Sequence, residues 1–401
     1  MTNQSSAISA LAVHMPSALL VRAALAQAVS IAFLPVERRN TIPVLSNLLL
    51  KGDGGHLAVV GTDLDVEVKV NLDAAADSDF ATTIEGAKFR DILAKAKASD
   101  ECAMDLIEEG RIALDMGGIK FKLQTLPAED FPSLQVAIYD NSFFHFRIAT
   151  KDLKTAFECV KFAVSTEETR YYLNGVFMHG GPMADGGHGL QFVATDGHRL
   201  AKFETSAIAL PIDLPGVILP RKTVDIFLKA LWQLSKAKIQ PDFVDVEVFN
   251  SIDGSIAKVK FIVGHVEIVS KLIDGTFPEY SRVIPNYNDK AATFNCKAFS
   301  EAVEQVSLIS NEKGRAVRFA FENRTCKFSV HNEGDSAEMT LQGTYSADPL
   351  EVGLNSYYVK DFLDQFEGDE FTFVMNDGGS PVIVRDGGEP RLLCVIMPMR
   401  I

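Results

Sequence analysis

The order of secondary-structure signals repeats three times along the chain, and that repeat constrains the fold more than any other feature. In the first stretch, residues 11–15 read as a short strand, and 18–32 as a helix opened by Pro16 and Ser17. T-I-P-V-L-S-N-L-L-L-K (41–51) and residues 57–60 read as strands around a Gly-rich turn, followed by a strand over 66–72. T-T-I-E-G-A-K-F-R-D-I-L-A-K-A then reads as a strand feeding a second helix, with hairpin strands at 102–107 and 111–116. The middle of the chain gives the same series: strand 143–149, helix 151–164, the strand Y-Y-L-N-G-V-F-M, and the return L-Q-F-V-A-T-D-G-H-R-L-A-K-F-E. V-I-L-P-R-K-T-V-D-I-F-L-K-A-L is again strand into helix, before strands at 244–249 and 257–263. The last third runs through A-T-F-N-C, a helix over 297–309, a hairpin, L-E-V-G-L-N-S-Y-Y-V-K-D-F-L and closing strands.

Matched residues fix the register. Thr62-Asp63 and Thr195-Asp196 lie 133 positions apart, with Asn332-Glu333 at a similar interval. Lys88 and Lys222, each opening a second helix, are 134 apart, and Phe131-Pro132-Ser133 matches Phe277-Pro278-Glu279. Each third is a strand-helix-strand-strand-strand module used twice. The implied class is α+β: three similar domains, each with two helices packed on antiparallel sheets. The expected division is an extension over 1–10, then domains at 11–140, 141–289 and 290–401. Three domains in a row suggest an arc, and two arcs meeting head to tail would close a ring without free sheet edges.

With 401 residues the chain exceeds one core. No apolar run reaches the ~18 residues of a membrane span, and the polar start lacks the basic segment of a secretory signal. The five cysteines are scattered, which fits free buried thiols in a reducing cytoplasm. His179 and His188 share a Gly-rich loop, which reads as a hairpin tip instead of a metal site, and no cofactor is implied.

The net charge of −14 argues against nucleic acid, but the charge is segregated. Lys88, Arg90, Lys95 and Lys97 crowd one second helix; Arg221, Lys222, Lys229, Lys236 and Lys238 crowd the next. Arg22, Lys151, Lys154 and Lys161 add to the first helices, while acids gather in hairpins and loops. The bias in equivalent helices points to a polyanion lying across them, held through phosphates without sequence preference.

The segments I-P-V-L-S-N-L-L-L, G-T-D-L-D, R-Y-Y-L-N-G, A-T-D-G-H-R-L-A, S-K-L-I-D-G-T-F-P-E-Y-S-R-V-I-P and V-I-M-P-M-R-I run in one order from about residue 18 to the end. This set resembles the β subunits of bacterial DNA polymerase III, the sliding clamps. The resemblance implies a homodimeric head-to-tail ring around duplex DNA that tethers the polymerase α subunit, the clamp loader and other clamp-motif proteins, with no catalysis of its own. It implies a partner-peptide pocket at Leu173, Thr195, Gly197, His198, Arg199, Leu200, Pro278, Arg282, Val283, Asn355, Tyr358, Ile396, Met397, Pro398, Met399 and Arg400, with His198, Arg199 and Arg400 holding the peptide's polar ends. It implies DNA contacts at Arg39, Lys88, Tyr171, Tyr172, Arg221 and Lys222, and a dimer contact of Phe121 and Leu123 with Leu308 and Ile309. Gly314, Gly379 and Pro381 depart from the expected pocket rim, Glu167 would repel phosphate, and 234–254 is longer than usual. Two alternatives stand beside this reading: a clamp paralogue with altered partner or inhibitor selectivity, and a hydrolase using Asp196 and His198.

Overall fold

A computed structural model describes residues 18–37, 41–53, 55–74, 79–96, 99–107, 110–134, 143–250, 256–310 and 315–400. Within them, one module recurs six times. In the first repeat, Ala18–Val21 leads to α1 (Arg22–Ala32) and strands Asn47–Asp53, His56–Thr62 and Val66–Asp73. Phe80–Glu85 then leads to α2 (Gly86–Lys95) and Glu101–Ile107, Arg111–Met116 and Ile119–Gln124. The second repeat has Phe143–Ala149, α3 (Thr150–Lys161), Gly175–Pro182, His188–Thr195 and Arg199–Thr205, then Val217–Pro220, α4 (Arg221–Lys236), Phe243–Asn250, Ile256–Val263 and Val266–Lys271. The third has Lys290–Asn295, α5 (Cys296–Ser307), Ala316–Glu322, Thr325–Asn332 and Asp335–Gln342. After a two-residue strand, Thr344–Tyr345, it ends with Leu350–Asn355, α6 (Ser356–Leu363), Glu370–Met375, Val382–Asp386 and Leu392–Ile396.

The first helix begins four residues later than the sequence pattern suggests. Ala18–Val21 is a strand, paired Ala18 to Met104 and Val21 to Glu101. Ala18 and Leu20 are buried on one face, so pairing overrides helix propensity there. The strand expected over 11–15 lies outside the described residues. Two apolar runs read as strands begin instead with 3-10 turns, Pro43–Ser46 and Glu168–Leu173. Proline at the first position favours such a turn because its missing N–H leaves no unsatisfied donor.

The two modules of each repeat exchange their first strands. Ala18–Val21 joins Glu101–Ile107, and Phe80–Glu85 joins Asn47–Asp53. The second repeat pairs Phe143–Ala149 with Phe243–Asn250, and Val217–Pro220 with Gly175–Pro182. The third pairs Lys290–Asn295 with Glu370–Met375, and Leu350–Asn355 with Ala316–Glu322. Neither half can complete its sheet alone.

Helix caps and cores follow from the sequence. Glu85 accepts from the N–H groups of Ala87 and Lys88 at the start of α2, and Asn295 and Asn355 cap α5 and α6 in the same way. Leu153, Ala156, Phe157 and Val160 make the buried stripe of α3; Phe299, Ala302, Val303 and Val306 that of α5. Phe157 meets Phe192, Phe227 and Phe261 edge-on, with centroids 5.4–6.2 Å apart. Phe299 occupies the matching centre of the third repeat, 4.7 Å from Phe328 and 5.0 Å from Phe371. Truncating either ring would cost about 3–5 kcal/mol. All five cysteines are free and four are buried; burial pushes the Cys159 thiol up to about 12.

The chain forms two compact bodies. One holds the first repeat with Lys229–Gln240 and Ile262–Ser270, and the other holds the rest. In the first, Val266–Ser270 pairs with Val66–Val70. In the second, the sheets of repeats two and three merge, because Arg199–Phe203 pairs antiparallel with Leu392–Ile396. Ile119–Gln124 and Asp335–Gln342 are end strands of their sheets. Among the described residues no helix is long and apolar enough to cross a membrane.

Candidate functional site

The A-T-D-G-H-R-L-A hairpin lies at the seam where the second and third repeats merge. Its turn is braced locally. Thr195 Oγ1 donates to the Arg199 carbonyl at 2.6 Å and accepts from Gly197 N at 3.1 Å. Asp196 Oδ1 accepts from the backbone N–H of His198 and of Arg199, at 2.9 and 3.0 Å. The first repeat uses the same device: Thr62 Oγ1 donates to the Val66 carbonyl, and Asp63 Oδ1 accepts from Asp65 N and Val66 N. The repeated Thr-Asp pair is therefore an Asx-type turn brace. Both Asp196 oxygens are committed, the second to Arg199 Nε at 3.0 Å, and the His198 ring stacks toward Tyr358. Asp196 is not placed to serve His198 as an acid–base partner, which removes the hydrolase reading. Gly197 has φ +91°, and a Cβ there would stand 2.5 Å from the Arg170 guanidinium.

Beside this turn opens a cleft of about 260 Å³. Leu173, Thr195, Gly197, Arg199, Leu200, Pro278, Val283 and Met397 line it. Leu173, Leu200 and Val395 form its buried floor, continuous with a core of Val193, Ile218 and Phe277. Met397 is 38% exposed at the mouth, where a flexible thioether suits varied apolar side chains. Arg170, Tyr172, Glu279, Tyr280 and Val395 also line the cleft, although the sequence reading did not place them there. The Y-S-R-V turn at Tyr280–Val283 and the 3-10 turn at Glu168–Leu173 bring in the first four, and Val395 comes from the strand Leu392–Ile396.

The remaining expected pocket residues stand around the cleft instead of lining it. Ile396 is fully buried in its strand, and Asn355 caps α6. Arg282 is exposed and paired with Glu279 at 2.5 Å. Met397 N donates to the His198 carbonyl and Met399 N to the Gly353 carbonyl, both at 2.8 Å, which fixes the C-terminal segment carrying Pro398 and Arg400.

Arg199 differs most from expectation. Its side chain is only 10% exposed and each of its three guanidinium nitrogens makes a hydrogen bond. Nε binds Asp196, Nη1 binds Asp361 of α6, and Nη2 donates to the Phe162 carbonyl at 2.7 Å. The guanidinium lies 4.4 Å over Tyr358 and 5.2 Å over Phe162. It is a pin between the second and third repeats and not a free hand for a peptide end.

A hydrogen-bond chain supports Tyr280 from below. Tyr280 Oη donates to Gln191 Oε1 at 2.6 Å and lies 2.9 Å from His179 Nε2, while His179 Nδ1 faces the Gly180 carbonyl at 2.8 Å. Burial holds the His179 imidazole below its usual pKa and pushes the Tyr280 phenol up to about 12.

Of the expected DNA-contact residues, Arg39 lies outside the described residues. Lys88, Arg221 and Lys222 open α2 and α4 and are exposed. Tyr171 is 55% exposed, with Tyr172 edge-on to it at 5.8 Å. Several other basic side chains are spent internally. Arg22 donates to the Ser99 and Leu93 carbonyls, Lys154 pairs with Glu158, and Lys161 pairs with Asp225 at 3.1 Å. The Glu167 carboxylate, expected to repel phosphate, is held in a two-pronged pair by Arg170 at 2.8 and 2.7 Å, which keeps it below the usual carboxylate range. Gly314 lies outside the described residues, and Gly379 sits in a turn braced by Asp377, away from the cleft lining. Phe121 and Leu123 lie half-buried on the end strand of the first repeat, and Leu308 is 80% exposed just after α5, beside Ile309.

Known proteins resemble this chain over most of its length. Sequence profiles described as the N-terminal, central and C-terminal domains of the DNA polymerase III beta subunit match residues 18–135, 147–279 and 281–400. The beta sliding clamp of Caulobacter vibrioides is 36% identical over 383 residues, covering 95% of this chain and 98% of that protein. The Escherichia coli K12 beta sliding clamp is 33% identical over 92% of this chain and 95% of its own. Among solved structures, a sliding clamp from Bartonella birtlesii bound to griselimycin superposes with a TM-score of 0.85 at 37% identity, covering 97% of this chain and all of that one. The DNA polymerase III subunit beta of Pseudomonas aeruginosa gives 0.84 at 30% identity, over 96% and 99%. The chain belongs to the DNA polymerase III beta-subunit family, the beta sliding clamps.

Proposed function

We propose that the protein is a DNA sliding clamp of the bacterial cytoplasm, a head-to-tail dimer that encircles duplex DNA and tethers the replicative polymerase and other partners through the cleft. The observation that carries the docking role is the cleft itself: an apolar floor of Leu173, Leu200 and Val395, a methionine at the mouth and a rim of backbone-braced turns. Such a surface takes a short peptide with apolar anchors. The protein contributes tethering and no bond chemistry, as its family does.

Two end strands support ring closure. Ile119–Gln124 carries Lys120 and Lys122, and Asp335–Gln342 carries Asp335 and Glu338. An edge of one copy matched to the opposite edge of its partner joins unlike charges and removes both free edges. Phe121 and Leu123 would then meet the exposed Leu308 and the half-buried Ile309. Inside the ring, Lys88, Arg221, Lys222 and Tyr171 face phosphates, which gives salt-sensitive, sequence-independent contact. The deciding experiment loads the protein on closed circular DNA and then linearises the circle. The clamp should elute with the circle and leave the cut DNA; dissociation from both alike would overturn the reading.

A further inference from the structure

The chain's only tryptophan stands 54% exposed on the C-terminal half of α4. Trp232 is a large aromatic side chain with no core role, and its neighbours explain its position. Lys236, one turn on, places its ammonium 3.4 Å from the ring centroid. Lys229, one turn back, shares the face. From Lys229 to Lys238 the sequence K-A-L-W-Q-L-S-K-A-K holds three lysines and no acid, in a chain of net charge −14. The helix ends through backbone bonds from Ala237 N to Leu234 O and Lys238 N to Ser235 O, which fixes the segment.

We propose that Trp232 is a positioning residue for DNA: its indole holds the Lys236 ammonium as a pre-ordered phosphate contact, and the ring packs against the adjacent deoxyribose. A free lysine side chain must lose rotamer freedom when it meets a phosphate; one already seated on an aromatic face has lost part of it. The cation–π contact leaves the lysine's charge in place, so the stacked lysine still pairs with a passing anion. The occupant is duplex DNA because the face is cationic and lies on the helix whose first residues the clamp reading turns to phosphate. The inference rests on that reading.

The single tryptophan makes the test direct. The full-length dimer is titrated with a short blunt duplex that threads the ring, reading anisotropy of a DNA label and Trp232 emission, over a salt series. Emission should change along the same isotherm as the anisotropy. W232A should weaken binding roughly two- to fivefold without altering the salt slope, since no charge is removed. K236A should lower the slope by about 0.9, one phosphate contact. W232F should recover part of the loss. Binding seen by anisotropy with unchanged emission and a W232A affinity equal to wild type would overturn the inference alone. Absence of binding at every salt concentration would remove the clamp reading beneath it.

Discussion

The Arg199 guanidinium lies 4.4 Å over the ring of Tyr358 while its Nη1 binds Asp361, so one side chain of the second repeat is locked to two residues of α6 in the third. Its strand neighbours reinforce the link, because Arg199 is paired with Ile396 in the shared sheet. R199A would remove the guanidinium donors of Asp361, of Asp196 Oδ2 and of the Phe162 carbonyl. The expected cost is about 2–3 kcal/mol. Urea unfolding should show it, with R199K recovering only part because lysine lacks the planar fork. An unchanged midpoint for R199A would show that the pin is dispensable.

Met397 offers the complementary case. It is 38% exposed at the cleft mouth, so M397A should leave the unfolding midpoint close to wild type. Affinity for a clamp-motif peptide should fall several-fold, about 1 kcal/mol. Calorimetric titration decides it. Equal affinities would place the peptide elsewhere.

Gly175 begins a strand at close quarters, where a Cβ would stand 2.3 Å from the Leu219 carbonyl oxygen. That oxygen belongs to the partner strand and cannot swing aside. G175A should therefore destabilise by about 1–3 kcal/mol through overpacking, read as a lower thermal midpoint. Gly61, whose Cβ would come 2.0 Å from the Ala32 carbonyl oxygen, should behave alike. A neutral G175A would mean that the strands separate freely there.

Leu308 is 80% exposed, so L308D should not disturb the protomer fold. At a ring seam it would bury a carboxylate among apolar partners, and the dimer should dissociate to monomers of unchanged circular dichroism. Light scattering reads the mass. A persistent dimer would exclude Leu308 from the contact.

His179 ties the cleft to pH. Burial lowers its pKa below 6.5, so the unfolded chain binds the proton more tightly than the folded one. Stability is therefore full above the unfolded value and declines as pH falls through about 6.5 toward the lower folded value. H179Q should show a smaller loss of urea midpoint between pH 7.5 and 5.5 than wild type. His265, shifted the same way by burial, leaves a residual loss. Identical pH profiles would free His179 of this role.

The sixfold module was legible because turn chemistry is local: Thr62-Asp63 and Thr195-Asp196 brace their turns with the next few residues, and such signals survive in sequence. Strand exchange was not legible. Ala18–Val21 is a strand only because Glu101–Ile107 lies beside it, and nothing near residue 18 says so. The cleft was half visible. Leu173, Leu200 and Met397 were among the residues expected there, whereas Arg170 and Tyr280, although inside the quoted segments, enter through 3-10 turns that apolar patterning reads as strand or loop. Arg199 lines the cleft, but a sequence cannot show that Asp361, 162 positions away, already pairs with it.

The pairing of Arg199–Phe203 with Leu392–Ile396 also sets a timetable for synthesis. The hairpin of the second repeat leaves the ribosome long before its neighbouring strand exists, and Val395 and Met397 belong to that later stretch. A chain lacking the strand Leu392–Ile396 thus has no finished cleft to offer. A partner docking there would therefore meet only chains in which the second and third repeats have paired, so the surface reports the joining of two repeats and not the folding of one.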